Sequence, residues 1–181
     1  MNMKKQSGFS LIELLIVVAI ILIIAAIAIP NLLRARMAAN DSSAASAVRA
    51  VTIAETAYVS TYPLSGFSVN LQNLGPNGLV CATSTPTATS ACLIDDQLGC
   101  AATKCLKAGY NFMMTSTTAT APVPDYTLSA SPLRTNITGS RNLCTNPDAV
   151  IRQSPVGTAE FTTPETLVNC ADLTKYTAMN E

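Results

Sequence analysis

The chain of 181 residues has one long apolar block near its N-terminus, followed by sequence of ordinary polarity. Between Phe9 and Ile29, 19 of 21 residues are apolar, and only Ser10 and Glu13 interrupt the run. Written as an α-helix, this block is about 30 Å long, which matches the hydrocarbon core of a bilayer. The rest of the chain has the apolar content of an ordinary globular domain. The pattern therefore predicts a membrane-grade helix joined to a separate domain.

An amphipathic stretch follows this block without a break. Beyond Pro30, apolar or small residues recur in steps of three, four or seven, the spacing of one face of a helix. They are Leu33, Met37, Ala44, Val48, Val51, Ala54 and Tyr58. The opposite side carries Arg34, Asp41, Ser42, Arg49, Thr52 and, in part, Glu55. Pro30 predicts a kink, and Pro63 with Gly66 predicts the end of the helix near Thr61. We expect one long helix from Phe9 to about Thr61, packed through its second half on the C-terminal domain.

Strand signals are confined to the C-terminal part of the chain. The predicted strands are Tyr110–Thr115, Tyr126–Ala130, Arg141–Thr145 and Ala149–Gln153. A hairpin turn is expected at Asn146-Pro147-Asp148, whereas residues 66–109 show no sustained period. The fold class predicted is α+β, with the long N-terminal helix packed on a small antiparallel sheet of four strands.

The amino-acid composition argues against several classes of function. The chain has no His, which is the commonest general base and metal ligand, so an enzyme is not expected. Eleven basic and eleven acidic residues give no net charge, which argues against a nucleic-acid site. The pair Asp95-Asp96 suggests calcium only weakly, because an isolated acidic pair is usually just solvated. We therefore predict no metal and no cofactor.

The six cysteines indicate an oxidising compartment. None lies in a CxxC pair, and the intervals between them do not resemble a zinc site. Six cysteines allow fifteen pairings, and spacing alone does not choose among them.

The N-terminal block has two plain interpretations. It could be a signal peptide cut at Ala26-Ile27-Ala28, or a simple anchor with Lys4 and Lys5 on the cytoplasmic side. Glu13 argues against both, because an acid inside an apolar span costs about 2.5–3.5 kcal/mol and is retained for a function.

The stretch GFSLIELLIVVAII resembles the class III leader of type IV pilins and pseudopilins, and residues 30–36 extend the match to the type IVa helix. The resemblance is close from Gly8 to Pro63. It implies that a prepilin peptidase cuts after Gly8 and N-methylates Phe9, and that the apolar helix is kept as membrane anchor and then filament core. One departure is Leu22, at a point where such pilins often carry a glycine.

The resemblance also implies roles for other residues. Glu13 is expected to pair with the methylated amine of a neighbouring subunit and, together with Pro30, to serve subunit assembly. The segment between Cys144 and Cys170 resembles the disulfide-bounded loop of pilin heads. With that pair assumed, our assignment for the remaining cysteines is Cys81–Cys92 and Cys100–Cys105.

These inferences divide the chain into five segments. They are a leader (1–8), a transmembrane and filament-core helix (9–29), an amphipathic second helical half (30–62), a cysteine-rich loop region (63–109), and a sheet with a disulfide-bounded C-terminal loop (110–181). The expected partners are further copies of the chain, the prepilin peptidase, the inner-membrane assembly machinery and, before assembly, membrane lipid.

The function expected from the resemblance is that of a major or minor pilin in a pilus used for adhesion, motility or DNA uptake. The head is expected in the periplasm first and on the cell surface after assembly. Two alternatives stay open at this point. One is a pseudopilin of a type II secretion system, and the other is a membrane-anchored or secreted binding module.

Overall fold

The computed structural model describes residues 9–161, 163 and 165–179, and the chain divides into two compact units. We call the described residues 9–36 the stem and the described residues from 37 onward the head. Helix α1 (Leu11–Thr61) supplies the whole regular structure of the stem and the first element of the head. Its C-terminal end falls where Pro63 and Gly66 predict it, and Pro30 lies inside it.

The stem buries almost none of its apolar surface. Each large apolar side chain from Phe9 to Leu33 is exposed, with exposed fractions between 46% and 86%. One 18-residue window of α1 has a mean hydropathy of 3.3, which suffices by length and composition for a membrane span. Because burial of such side chains drives folding in water, this surface requires lipid or protein around it.

The head is built on one antiparallel sheet whose strands neighbour each other in chain order. They are β1 (Cys105–Lys107), β2 (Tyr110–Thr115), β3 (Thr127–Pro132), β4 (Leu143–Thr145), β5 (Arg152–Gln153) and β6 (Thr177–Ala178). Two short helices complete the head, α2 (Leu71–Leu74) and α3 (Leu167–Ala171). Each is capped at its N-terminus by a side-chain oxygen, from Asn70 in α2 and from Thr166 in α3.

The α+β class is confirmed, but the sheet has six strands where four were predicted. The strands β1 and β6 were missed because they have three and two residues, too few to show alternation. The predicted strand Ala149–Gln153 is also too long, since only Arg152 and Gln153 pair. The preceding residues form a turn in which Ala149 has a positive φ of 60°.

The core of the head lies between the second part of α1 and the sheet. Val48 and Val51 of the helix are fully buried and belong to one apolar cluster with Tyr110, Phe112 and Leu128 of the sheet. Several alanines of α1 complete the contact, and their small size allows close approach. The predicted apolar face of the helix is therefore the packed face from Ala44 to Tyr58, whereas Leu33 belongs to the exposed stem.

The predicted polar side of the helix is wrong at two positions. Thr52 and Glu55 are buried in the head rather than solvated. The Thr52 hydroxyl donates to the Val48 carbonyl one turn earlier, and Glu55 has partners in the segment after the helix. Both side chains are internally hydrogen-bonded, so burial leaves no polar group unsatisfied at these positions.

Candidate assembly site

The first residues of α1 form a capping arrangement around Glu13. Ser10 stands immediately before the helix, and its backbone N–H donates to Glu13 Oε2 at 2.9 Å. The spacing Ser10-x-x-Glu13 is that of a capping box, in which the acid three residues into the helix binds the backbone of the capping residue. Glu13 therefore has a local structural role in addition to the assembly role that the family resemblance implies.

The other predicted residues of the stem lie in simple surroundings. Phe9 is 86% exposed, directly before the capping residue. Gly8, the expected cleavage position, lies outside the described residues. Pro30 is accommodated within α1 and does not end it. The stem therefore presents a hydrogen-bonded carboxylate near the N-terminal end of an exposed helix that is otherwise apolar as far as Ile29.

The six cysteines form three disulfides in the head. The pairs are Cys81–Cys92, Cys100–Cys105 and Cys144–Cys170, the same three as in our sequence-based assignment. Cys144 lies on β4 and Cys170 on α3, and both are fully buried with Tyr176 in a second small apolar cluster. This disulfide therefore fastens the C-terminal segment to the middle of the sheet.

A cluster around Asp41 joins the helix to the loops at one end of the sheet. The Asp41 carboxylate accepts hydrogen bonds from the Tyr110 hydroxyl at 2.6 Å and from the Ser140 backbone at 3.0 Å. The Ser140 hydroxyl donates to the second carboxylate oxygen, and the neighbouring Asn40 amide donates to the Thr138 carbonyl at 2.7 Å. Burial, with the adjacent Asp41 carboxylate, raises the pKa of Tyr110. We call these five residues the Asp41 cluster.

A buried carboxylate fixes the chain where it leaves the helix. Glu55 is fully buried, and its Oε2 accepts from the Ser68 backbone N–H at 3.0 Å. The Ser68 hydroxyl donates to the other oxygen. Desolvation raises the pKa of Glu55 to about 7, although both hydrogen bonds from Ser68 oppose the shift. The group therefore titrates near neutral pH inside the head.

The sequence analysis did not predict that Asp41 and Glu55 form hydrogen bonds within the head. It placed Asp41 and, in part, Glu55 on a solvated face, because acids are rarely buried. The helical period contains the missing signal only for Glu55, which directly follows the buried Ala54 and lies four residues after Val51. The partners, Tyr110 and Ser140, are 69 and 99 residues away from Asp41, so no local pattern identifies them.

The acidic pair Asp95-Asp96 was considered as a calcium site, and the partners of Asp95 are within the head. Asp95 accepts from the Leu98 backbone N–H at 2.9 Å and forms an ion pair with Lys107. Within the described residues, no group of three or more metal-ligating side chains is present. Asp95 therefore serves to close a turn against β1.

Two comparisons with known proteins give a match. A family model described as the prokaryotic N-terminal methylation motif matches residues 3–29. The type IV wide pilus major component PilA4 of Thermus thermophilus is 65% identical over 40 residues. These are 22% of this chain, and the match spans only 30% of the length of that relative. No solved structure matches.

The structure and the comparisons together support one class of protein. A long apolar N-terminal helix, a small antiparallel sheet and three disulfides are the α+β fold of a pilin. The N-terminal methylation motif and the similarity to a pilus component support a type IV pilin with a class III leader. The matches therefore agree with the resemblance found in the sequence.

Proposed function

We propose that this chain is a subunit, major or minor, that polymerises with further copies into a type IV pilus. The observation that carries the proposal is the exposed stem. Its large apolar side chains contact almost nothing in their own chain, whereas the head closes its own core. A surface of this kind must be covered by lipid before assembly and by other stems after it.

Processing at the leader precedes assembly in this proposal. The prepilin peptidase cuts after Gly8 and methylates the new amine of Phe9, and the matched methylation motif supports this step. The amine then lies next to Ser10, whose backbone N–H already binds Glu13. Inner-membrane assembly machinery adds the processed subunit to the base of the fibre. Adhesion, motility or DNA uptake would belong to the assembled fibre.

Glu13 sets the axial register between subunits in this proposal. In an apolar filament core an unpaired carboxylate is costly, and a cationic amine from a neighbouring subunit removes much of that cost. The capping box supplies one hydrogen bond to a single oxygen, so it leaves the charge itself uncompensated. An amine can therefore bind without disrupting the helix start.

Substitution of Glu13 separates the register role from the capping role. Glu13→Gln keeps a side-chain oxygen for the Ser10 N–H but removes the charge, whereas Glu13→Val removes both. If register depends on charge, both variants are cleaved and membrane-anchored yet yield few filaments in sheared material. Filaments from Glu13→Gln at the wild-type level, with cleavage confirmed by mass spectrometry, would leave only the capping role.

The location of the polymer separates the pilus from the closest alternative. A type II secretion pseudopilin shares the stem but is retained in the periplasm as a short rod. Electron microscopy of shear-released material, with mass spectrometry of its N-terminus, should find fibres whose subunits begin at Phe9. Retention of the protein in the periplasm would favour the pseudopilin. A mature N-terminus at Ile29 would instead favour a secreted binding module.

A further inference from the structure

A tight turn with an Asn-Gly pair at its centre follows α2 in the head. The Leu79 N–H donates to the Pro76 carbonyl at 2.8 Å, which closes the turn. Asn77 and Gly78 lie between them, with positive φ values of 45° and 81°. Two central residues with positive φ are typical of a type I′ turn, for which Asn-Gly is a preferred pair. Both central residues are exposed, so water reaches them.

The backbone nitrogen of Gly78 is accessible to the side chain before it. Gly78 has no side chain to shield this nitrogen, and a Cβ placed there would meet nothing within 4 Å. Within the part of the chain that the structure describes, the Gly78 N–H donates no hydrogen bond. Asn-Gly occurs once in the sequence, since every other asparagine is followed by a larger residue. The pair is therefore the place in the chain where a backbone nitrogen can attack an asparagine amide with the least hindrance.

Two hydrogen bonds hold the Asn77 side chain in place. Its Oδ1 accepts from Gln72 Nε2 at 2.6 Å, and its Nδ2 donates to the Thr89 carbonyl at 3.0 Å. One contact reaches back to α2, and the other reaches forward to the chain that returns beside the turn. We call Gln72, Asn77 and Thr89 the Asn77 clamp. Because attack requires the amide carbon to turn toward the Gly78 nitrogen, the side chain must first leave both partners of the clamp.

The loop 81–92 controls how firmly the clamp is closed. The disulfide between Cys81 and Cys92 ties its ends together, and the Tyr58 hydroxyl of α1 donates to its Ala88 carbonyl at 2.6 Å. Thr89, the acceptor in the clamp, follows directly in the chain. Loosening this loop therefore removes one partner of the Asn77 amide while the sheet stays intact. A local opening of this kind costs less free energy than unfolding of the whole head.

From these observations we propose that Asn77 is a site of spontaneous deamidation, which the Asn77 clamp restrains and which opening of the loop 81–92 permits. The Gly78 nitrogen gives its proton to a base in the solvent and attacks Asn77 Cγ. The new C–N bond closes a succinimide ring, and the side-chain nitrogen takes a proton from water and leaves as ammonia. Water then adds to the ring and opens it to aspartate or isoaspartate. The inference concerns the head alone and does not rest on the proposed function.

The product cannot restore the clamp. An aspartate carboxylate has no hydrogen to donate to the Thr89 carbonyl, and it places a negative charge against that oxygen. Isoaspartate continues the main chain through the side chain, which lengthens the turn by a methylene group and breaks its type I′ geometry. Deamidation therefore releases the loop 81–92 from the turn irreversibly and adds one negative charge to the head.

The test follows the full oxidised chain during incubation in a mildly alkaline buffer. Peptide mass mapping measures conversion of amide to acid at each asparagine, and enzymatic methyl labelling detects isoaspartate. Asn77 should convert and Asn136 should not. Asn136 is also exposed and has a positive φ of 63°, but the bulky Ile137 follows it. Equal conversion at the two positions would overturn the assignment of the site.

Two glutamine variants test the clamp. Gln72→Ala removes the donor to Asn77 Oδ1 and should accelerate deamidation about fivefold, the effect of losing one typical hydrogen bond. Gln97→Ala removes an exposed glutamine outside the clamp and should leave the rate unchanged. Both variants keep all six cysteines, so this comparison does not depend on changes to the disulfides. Equal rates in the two variants would show that the clamp does not restrain the reaction.

Disulfide variants separate opening of the loop from unfolding of the head. Cys81→Ser with Cys92→Ser should accelerate deamidation more than Gln72→Ala does, because it loosens the loop 81–92 itself. Cys144→Ser with Cys170→Ser removes a disulfide that closes a longer loop elsewhere in the head, and it should leave the rate near that of the wild type. Equal acceleration by both pairs would assign the reaction to global unfolding and overturn the role of the loop. An unreacted Asn77 in the Cys81→Ser, Cys92→Ser variant would overturn the site itself.

Discussion

The stem and the head of this chain contain the same kinds of apolar side chain, but the stem exposes them and the head buries them. In the stem, isoleucines and leucines are exposed on every side, and the one internal polar contact of a side chain is that of Glu13 with Ser10. In the head, similar side chains are buried against a sheet, three disulfides close the loops, and the acid Glu55 is enclosed with them. The stem therefore depends on its surroundings, whereas the head carries its own stability. A change in one unit should leave the properties of the other intact.

The largest effect is expected from a change in the leader, which should stop assembly through the stem but leave the head folded. Gly8→Leu should leave the precursor uncut and abolish surface fibres, because the resemblance implies that the peptidase requires glycine at that position. The head should still form its disulfides, since all three join cysteines within the head. Mass spectrometry of the membrane fraction, with thiol quantification, measures both. Normal processing of Gly8→Leu would contradict the assignment of the cleavage site.

Removal of the disulfide that closes the longest loop should lower the stability of the head without affecting the stem. Cys144→Ser with Cys170→Ser is expected to lower the free energy of unfolding by about 3.5 kcal/mol, given the 26-residue separation of the pair. The shorter link Cys100–Cys105 provides the matched control, with an expected loss of about 2 kcal/mol. Denaturant titration measures the losses, and carbonate extraction should show both variants still inserted. A thiol at Cys144 in the oxidised wild-type protein would contradict the pairing.

The buried acid Glu55 predicts that the free energy of unfolding of the head depends on pH. Because the pKa of Glu55 is about 7 in the folded chain and 4.5 as its reference, the folded state holds the proton more tightly. The contribution of Glu55 to stability should be largest below pH 4.5, fall as the pH rises to 7, and stay level above. The full difference is at most about 3 kcal/mol.

Glu55→Gln is the control for this dependence, since the amide cannot ionise but still accepts from Ser68. Its unfolding midpoint should be independent of pH between 5 and 7, where the paired surface carboxylates are ionised in both states. Asp148, whose pKa is lowered chiefly by its hydrogen bond from Arg152, contributes only at lower pH. An unchanged slope in Glu55→Gln would assign the dependence to another group.

The smallest effect should come from the Asp41 cluster. Asp41→Asn keeps the shape and one acceptor oxygen but removes the charge that Tyr110 and Ser140 bind, which should cost about 2 kcal/mol. Tyr110→Phe removes a single donor and should cost less. If the two changes are coupled through their shared hydrogen bond, the double variant should lose less than the sum. Strict additivity in thermal unfolding would show that the bond contributes nothing.

The sequence predicts the stem better than the head for a physical reason. The apolar run and the punctuation by Pro63 and Gly66 are local signals, and they locate α1 closely. β2 is likewise predicted to the residue, because YNFMMT is a long run of strand formers. The contacts that attach the head to the helix join residues far apart in the chain. The partners of Glu55 and of Asp41 could therefore not be predicted, although the helical period does place Glu55 beside the buried face.

The order of the strands has a kinetic consequence. Each strand pairs with the strand next to it in the chain, and the first hairpin turns on Ala108 and Gly109, both with positive φ. Such pairing keeps the loop to be closed short, so little chain entropy is lost before a sheet contact is gained. The sheet can therefore grow strand by strand in chain order. The slow step of folding should be the joining of this sheet to the helix, because those contacts link residues far apart in the chain.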